Sequence, residues 1–292
     1  MAVAWLSIPT SKRGLESPFL VLMLCLILPF SCRCFPNELW SLRASWLLNE
    51  AFTAERSCNL SRAEHLLNTA LSEFPKGVER NSRYADVEDR LGSVLLHENR
   101  PDEALKYLDD ALFIRSKVFS STAPEVADSL NNVANCMISC GLGKSDFCYI
   151  EQMFKQVLKI DDLNHKNDKY TAFTKGNLAR LYGQAGMTSE AKQLFEESIQ
   201  WLRRKGVKER ITATLISNYA EYLSDNSDYA AAEKLYKEAN SISIEIGAES
   251  YPDAIGSLRS LGRLYINLGR DAEAQVVFAK VKALQAKCSS LK

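Results

Sequence analysis

Six small residues, Ala51, Gly92, Ala134, Ala179, Ala220 and Gly262, follow one another at intervals of 41, 42, 45, 41 and 42 residues. Five of them are answered twelve residues later by an alanine: Ala63, Ala104, Ala191, Ala232 and Ala274. A side chain this small lets two helix axes approach closely. Its return at a nearly constant period means that each stretch is one supersecondary unit, unable to bury its apolar face alone and stacked on its neighbours. That arrangement excludes a single globular catalytic core.

Within a unit the apolar spacing is helical. Leu130, Val133, Ala134 and Met137 occupy one face of a first helix. In the second helix Ala191, Phe195 and Ser198 recur as Ala232, Tyr236 and Ala239, and again as Ala274, Phe278 and Val281. The small residue admits the partner helix and the aromatic a turn later fills the space beside it, so each unit is an antiparallel helical hairpin.

Leu261-Gly262-Arg263-Leu264-Tyr265, followed by Gly269, Ala274 and Phe278, resembles the tetratricopeptide pattern and lacks only its tryptophan. Leu178-Ala179-Arg180-Leu181-Tyr182, Gly186, Ala191 and Phe195 make a second copy. The longer period, with Pro124-Glu125-Val126 opening a first helix and Tyr251-Pro252-Asp253 repeating that start, resembles the repeats of kinesin light chains. Over residues 40–288 the resemblance implies an all-α, right-handed superhelical solenoid of about six hairpins, with units near 44–76, 85–118, 127–162, 172–205, 213–246 and 255–288. Glu50 and Ala54 depart from the pattern in the first unit, as a capping repeat would. Lys280, Lys282 and Lys287 suit a solvent-facing last helix.

The resemblance also implies a concave surface lined by first helices, where a peptide segment would be held. The candidate groove residues are Asn131 and Asn135, then Asn177, Arg180 and Gln184, then Asn218 and Glu221, then Arg259 and Arg263. An asparagine amide matches the alternating donors and acceptors of an extended backbone. Arg259 and Arg263, one turn apart, suit a carboxylate. Relatives that grip a carboxylate use lysine and asparagine at matching sites, and the lysine is missing here. The competing reading of the same residues is hydrogen bonding between neighbouring helices, or simple solvation. If they serve the groove, exchanging Asn131 and Asn135 for alanine is expected to abolish partner capture and leave melting intact.

The third unit breaks step, because Asp146 stands where a small residue is expected and the second-helix pattern resumes at Ile150, Phe154 and Val157. Four residues are inserted in its turn, and the stretch 140–148 is expected to loop outward. Gly143-Lys144-Ser145 imitates the end of a phosphate loop, but Ile138 replaces the required first glycine and no strand precedes it. Cys136, Cys140 and Cys148 cluster there without a nearby histidine, one ligand short of a structural zinc site. A bridge between Cys140 and Cys148 is the alternative to simple packing. His65, His97 and His165 are dispersed, and neither H-E-x-x-H nor G-x-S-x-G occurs.

Lys12 and Arg13 precede an apolar run from Phe19 to Phe30, the order of an export signal. Twelve residues are too short for roughly 30 Å of hydrocarbon. Residues 1–34 therefore read as a signal peptide or membrane-attaching segment, and 35–292 as the solenoid. The chain is placed in an exported or membrane-attached location, or in the cytoplasm if that segment does not act. Thirty-six basic residues balance 36 acidic ones, so no global field favours nucleic acid. The expectation is a non-enzymatic adaptor with a protein or peptide partner, no metal and no cofactor. The alternatives are an assembly element that self-associates through its terminal hairpins at Val277 and Val281, and a cysteine-loop redox or metal module.

Overall fold

The computed structural model describes residues 36–141, 146–249 and 251–289. Twelve helices and no strand occur among them. In chain order they are α1 (Pro36–Arg56), α2 (Leu60–Ser72), α3 (Ser82–His97), α4 (Pro101–Val118), α5 (Pro124–Ser139) and α6 (Phe147–Leu163), followed by α7 (Lys169–Gln184), α8 (Thr188–Arg204), α9 (Arg210–Asp225), α10 (Tyr229–Glu245), α11 (Pro252–Asn267) and α12 (Asp271–Ser289). Consecutive helices pair into six hairpins, and each hairpin packs on the next. Residues 1–34 and the Gly143-Lys144-Ser145 stretch lie outside the described residues. No described helix is long and apolar enough to cross a membrane.

Local chemistry sets the helix ends. Asn59, Asn81, Asp168 and Asp228 cap α2, α3, α7 and α10, each accepting a hydrogen bond from a backbone N–H of the first turn. Pro101, Pro124 and Pro252 open α4, α5 and α11, where a missing N–H costs nothing. The turn inside every hairpin carries one residue with positive φ: Cys58, Asn99, Gly141, Gly186, Ser227 and Gly269. Each stands seven positions after the unit's small residue. A bond spanning five residues follows in five of the hairpins, for example Arg100 N–H to the Leu95 carbonyl at 2.9 Å and Arg270 N–H to that of Tyr265 at 2.8 Å. This left-handed cap satisfies carbonyls that the ending helix would leave bare, and it turns the chain back on itself.

The small-residue register is the contact inside each hairpin. Ala51, Ala134, Ala179 and Ala220 are completely buried, as are Ala63, Ala104, Ala191 and Ala232 opposite. At the two glycines a methyl would press on the facing side chain: a β-carbon on Gly92 would lie 2.6 Å from Leu108 Cγ. In the third unit Ile150 and Phe154 are fully buried, so the second helix regains its register after the longer turn. The apolar core runs in two stretches that meet at α7, where Leu178 and Leu181 join the first and Ala172 and Ala179 the second.

The stack curls until its ends meet. Cys58, in the first hairpin's turn, packs beside Ile255, Leu258, Val281 and Leu284 of the last hairpin. Val281 is therefore buried inside the chain, and Val277 is partly buried beside it.

Candidate functional site

The odd-numbered helices lie side by side along the stack, α1 on α3, α3 on α5, and so on to α11. Because their ends come together where the stack closes, they form its inner wall, and all nine candidate groove residues stand on α5, α7, α9 and α11.

These residues fall into two groups. Asn131, Asn135, Asn177 and Arg180 join α5 to α7. Asn177 Nδ2 donates to Asn131 Oδ1 at 3.2 Å, and Thr174 Oγ1 donates to the same oxygen at 3.4 Å. One turn further on, Arg180 Nη2 donates to Asn135 Oδ1 at 2.8 Å. Asn177 is almost completely buried. The ladder leaves two atoms without a hydrogen-bond partner among the described residues, Asn177 Oδ1 and Arg180 Nε. Alanine at Asn131 and Asn135 would break bonds between helices, so unchanged melting is no longer the expected result for that pair.

The second group faces solvent. Gln184, Glu221, Arg259 and Arg263 are exposed, and Asn218 is half-buried. Neither Arg259 nor Arg263 forms an ion pair among the described residues. Glu221 stands between two cations on the wall. Crowding by protein pushes its carboxyl up, while Arg180 and Arg263 pull it back. Burial lowers the Arg180 guanidinium from its ordinary value, and the charge of Glu221 opposes that. The wall thus runs from an amide ladder on α5 and α7 to exposed cationic side chains on α11.

The cysteine cluster is built differently. Cys136 is buried and its thiol donates to the Pro101 carbonyl at 3.3 Å, with burial pushing it up to about 12. Such a thiol is a packing group with little thiolate character. Cys140 is half-buried, Cys148 is exposed, and both are free. No group of three or more metal-ligating side chains occurs among the described residues.

Sequence reading missed a second constellation. Glu55, His97, Arg210 and Asp253 come from four different hairpins and meet where the stack closes. The only local hint was an acidic residue beside Pro252 at a helix start, which any helix can carry.

No protein-family model matches the sequence, and no curated protein matches it. Among solved structures it is similar to a putative kinesin light chain with nearly identical TPR-like repeats from Podosopora anserina, at 21% identity over 72% of this chain and 98% of that one, with a TM-score of 0.46. It is also similar to the Rap conjugation gene regulator of the plasmid pLS20 in complex with the Phr* peptide, at 13% identity over 94% of this chain and 84% of that one, with a TM-score of 0.57. A third is Bacillus thuringiensis PlcR in complex with the peptide PapR7 and DNA, at 16% identity over 80% and 81%, with a TM-score of 0.58. At these identities the likeness is one of fold. The chain has the fold of a tetratricopeptide-type helical solenoid.

Proposed function

We propose that this chain is a non-enzymatic adaptor whose inner wall holds an extended segment of another protein and grips a carboxylate of that segment with Arg259 and Arg263. The observation that carries the reading is the state of those two guanidiniums. They stand one turn apart on α11, exposed and without an ion pair among the described residues. A guanidinium offers a planar fork that fits a carboxylate in two parallel hydrogen bonds. Arg180 is already engaged with Asn135, so the grip falls to α11 rather than to the ladder. Two solenoids of similar fold were solved with peptides bound, which supports a peptide as the class of ligand. Residues 1–34 are read as the segment that exports or attaches the protein, on the strength of Lys12-Arg13 and the apolar run behind them.

The test is a random-sequence peptide array in two versions, one ending in a free carboxylate and one amidated, probed with the full chain and with Arg259→Gln/Arg263→Gln. Retention on the carboxylate array, weakened about tenfold or more in the double variant, is the expected result. Retention that ignores both the peptide terminus and the arginines, or no retention at all, overturns the assignment.

A further inference from the structure

We propose that His97, set between Glu55 and Asp253, is a proton-operated clasp that holds the last two hairpins against the first two. The contact joins residues far apart in sequence: His97 Nε2 lies 3.0 Å from Asp253 Oδ1, across 156 positions. The other ring nitrogen faces a second carboxylate, with Nδ1 at 3.4 Å from Glu55 Oε1. Glu55 is only 1% exposed, and His97 is largely buried.

A neutral imidazole can donate from one nitrogen only, and its second nitrogen would then turn a lone pair toward a carboxylate. The imidazolium donates from both. Nδ1 and Glu55 Oε1 form no hydrogen bond as they stand, so protonation converts one hydrogen bond and one lone-pair clash into one charge-assisted hydrogen bond and one charge attraction. Neither nitrogen can turn to water without breaking the contact, because each faces a carboxylate from a different hairpin.

The surrounding groups come from every element that meets there. From α1 come Glu55 and Arg56, and from α3 come Arg90 and His97 itself. Arg90 Nη1 donates to Glu55 Oε2 at 3.3 Å. From α9, Arg210 approaches both carboxylates at 3.7 Å, and Thr214 Oγ1 donates to Asp253 at 3.5 Å. Tyr251, just before α11, lies under the guanidiniums of Arg56 and Arg210, at 5.6 and 5.4 Å from its ring centre. Glu55 and Asp253 are set against Arg56, Arg90 and Arg210, so the proton on His97 is not needed for overall neutrality and decides instead how the ring meets the two carboxylates. Helix dipoles favour the ionised pair. His97 ends α3, where a cation is stabilised, and Asp253 lies in the first turn of α11, where an anion is.

Burial alone would lower the His97 pKa, but the hydrogen bond and charge of Asp253, with the charge of Glu55, outweigh it and raise the value. Burial would likewise raise Asp253, and His97, Arg210 and Thr214 bring it below the usual carboxylate range. A raised imidazole contributes its full stability below the ordinary histidine value and loses it as pH rises through the shifted one. A lowered carboxyl holds its contribution until pH falls through its own shifted value. The clasp is shut in the window between the two and loosens on the alkaline side. No broad helix-to-helix packing crosses the contact among the described residues, so side chains carry it. Its state also bounds the inner wall, a consequence that rests on the groove reading, whereas the clasp itself is tested without any ligand.

Small-angle scattering of the full chain and amide exchange at residues 251–255 are compared at about pH 5.5 and about pH 8.5. The wild type is expected to expand at the higher pH, with exchange at the start of α11 several-fold faster. His97→Gln should be expanded and fast at both values. His65 and His165 are exposed, and their glutamine variants should keep the wild-type response. A wild type unchanged between the two pH values, or a His97→Gln chain that keeps the pH step, overturns the clasp. Should His97→Gln not fold, NMR titration of the wild-type imidazoles decides. A His97 midpoint above those of His65 and His165 supports the proposal, and one at or below them refutes it.

Discussion

The ring of Phe278 occupies the place where a β-carbon on Gly262 would stand, its Cζ 2.7 Å from that position. Phe195 and Tyr236 hold the corresponding place after Ala179 and Ala220, so the sixth unit pairs its aromatic with glycine where those two pair theirs with alanine. Gly262→Val forces the ring and α12 outward and is expected to lower stability by about 1–3 kcal/mol. Gly262→Ala should cost less, because Phe278 is only half-buried and can shift. Urea denaturation of the two variants checks both the sign and the order.

Ser227 closes the fifth hairpin at φ 65°, a conformation that glycine supplies in the sixth. A side chain held there costs roughly 1–2 kcal/mol against a right-handed residue. Part of that gain is returned by the greater freedom of glycine in the unfolded chain. Ser227→Gly is therefore expected to stabilise the protein by about 1 kcal/mol. A lower urea midpoint would contradict the left-handed turn.

Glu88 stands where Leu47, Leu130, Ile216 and Leu258 stand in other units, and it is 3% exposed. Burial, with the charge of Asp110 and a hydrogen bond to it, pushes its carboxyl up to about 9. The folded form keeps this proton, while the unfolded chain releases it near pH 4.3. The contribution to stability is complete below the unfolded value and is lost as pH climbs to about 9. Glu88→Gln keeps a donor toward Asp110 and removes the titration. It should match the wild type near pH 4 and exceed it by about 1–3 kcal/mol near pH 8.5. Equal urea midpoints at the higher pH would overturn this account.

The two groups of groove residues should separate in stability measurements. Arg259→Ala/Arg263→Ala removes exposed side chains that have no ion pair among the described residues, and melting should stay within about 0.5 kcal/mol of wild type. Asn135→Ala leaves Arg180 only its 3.5 Å contact with the backbone carbonyl of residue 135, and Asn131→Ala strands the buried Asn177 amide. Each is expected to cost about 1–3 kcal/mol. Thermal unfolding of the three variants side by side provides the check.

Most of the scaffold was legible from Ala51, Gly92, Ala134, Ala179, Ala220 and Gly262, because the close approach inside a hairpin is a local matter of spacing. The recovery of register at Ile150 and Phe154 was legible for the same reason. The use made of the inner asparagines was not. An amide at a given turn of a helix can face a ligand or a neighbouring helix, and the spacing is identical in both cases. Only the lateral placement of α5 against α7 turned Asn131 and Asn135 toward Thr174, Asn177 and Arg180.

Hairpin number, helix limits and the buried stripe depend on interactions reaching no further than one repeat, and the order of residues carries them. The meeting of Glu55, His97, Arg210 and Asp253 is of another kind. It arises from the small turn between each hairpin and the next, summed over the stack until the last units return to the first. That accumulated angle is a property of packed surfaces, so it is absent from any local pattern and was decided only when the whole solenoid assembled.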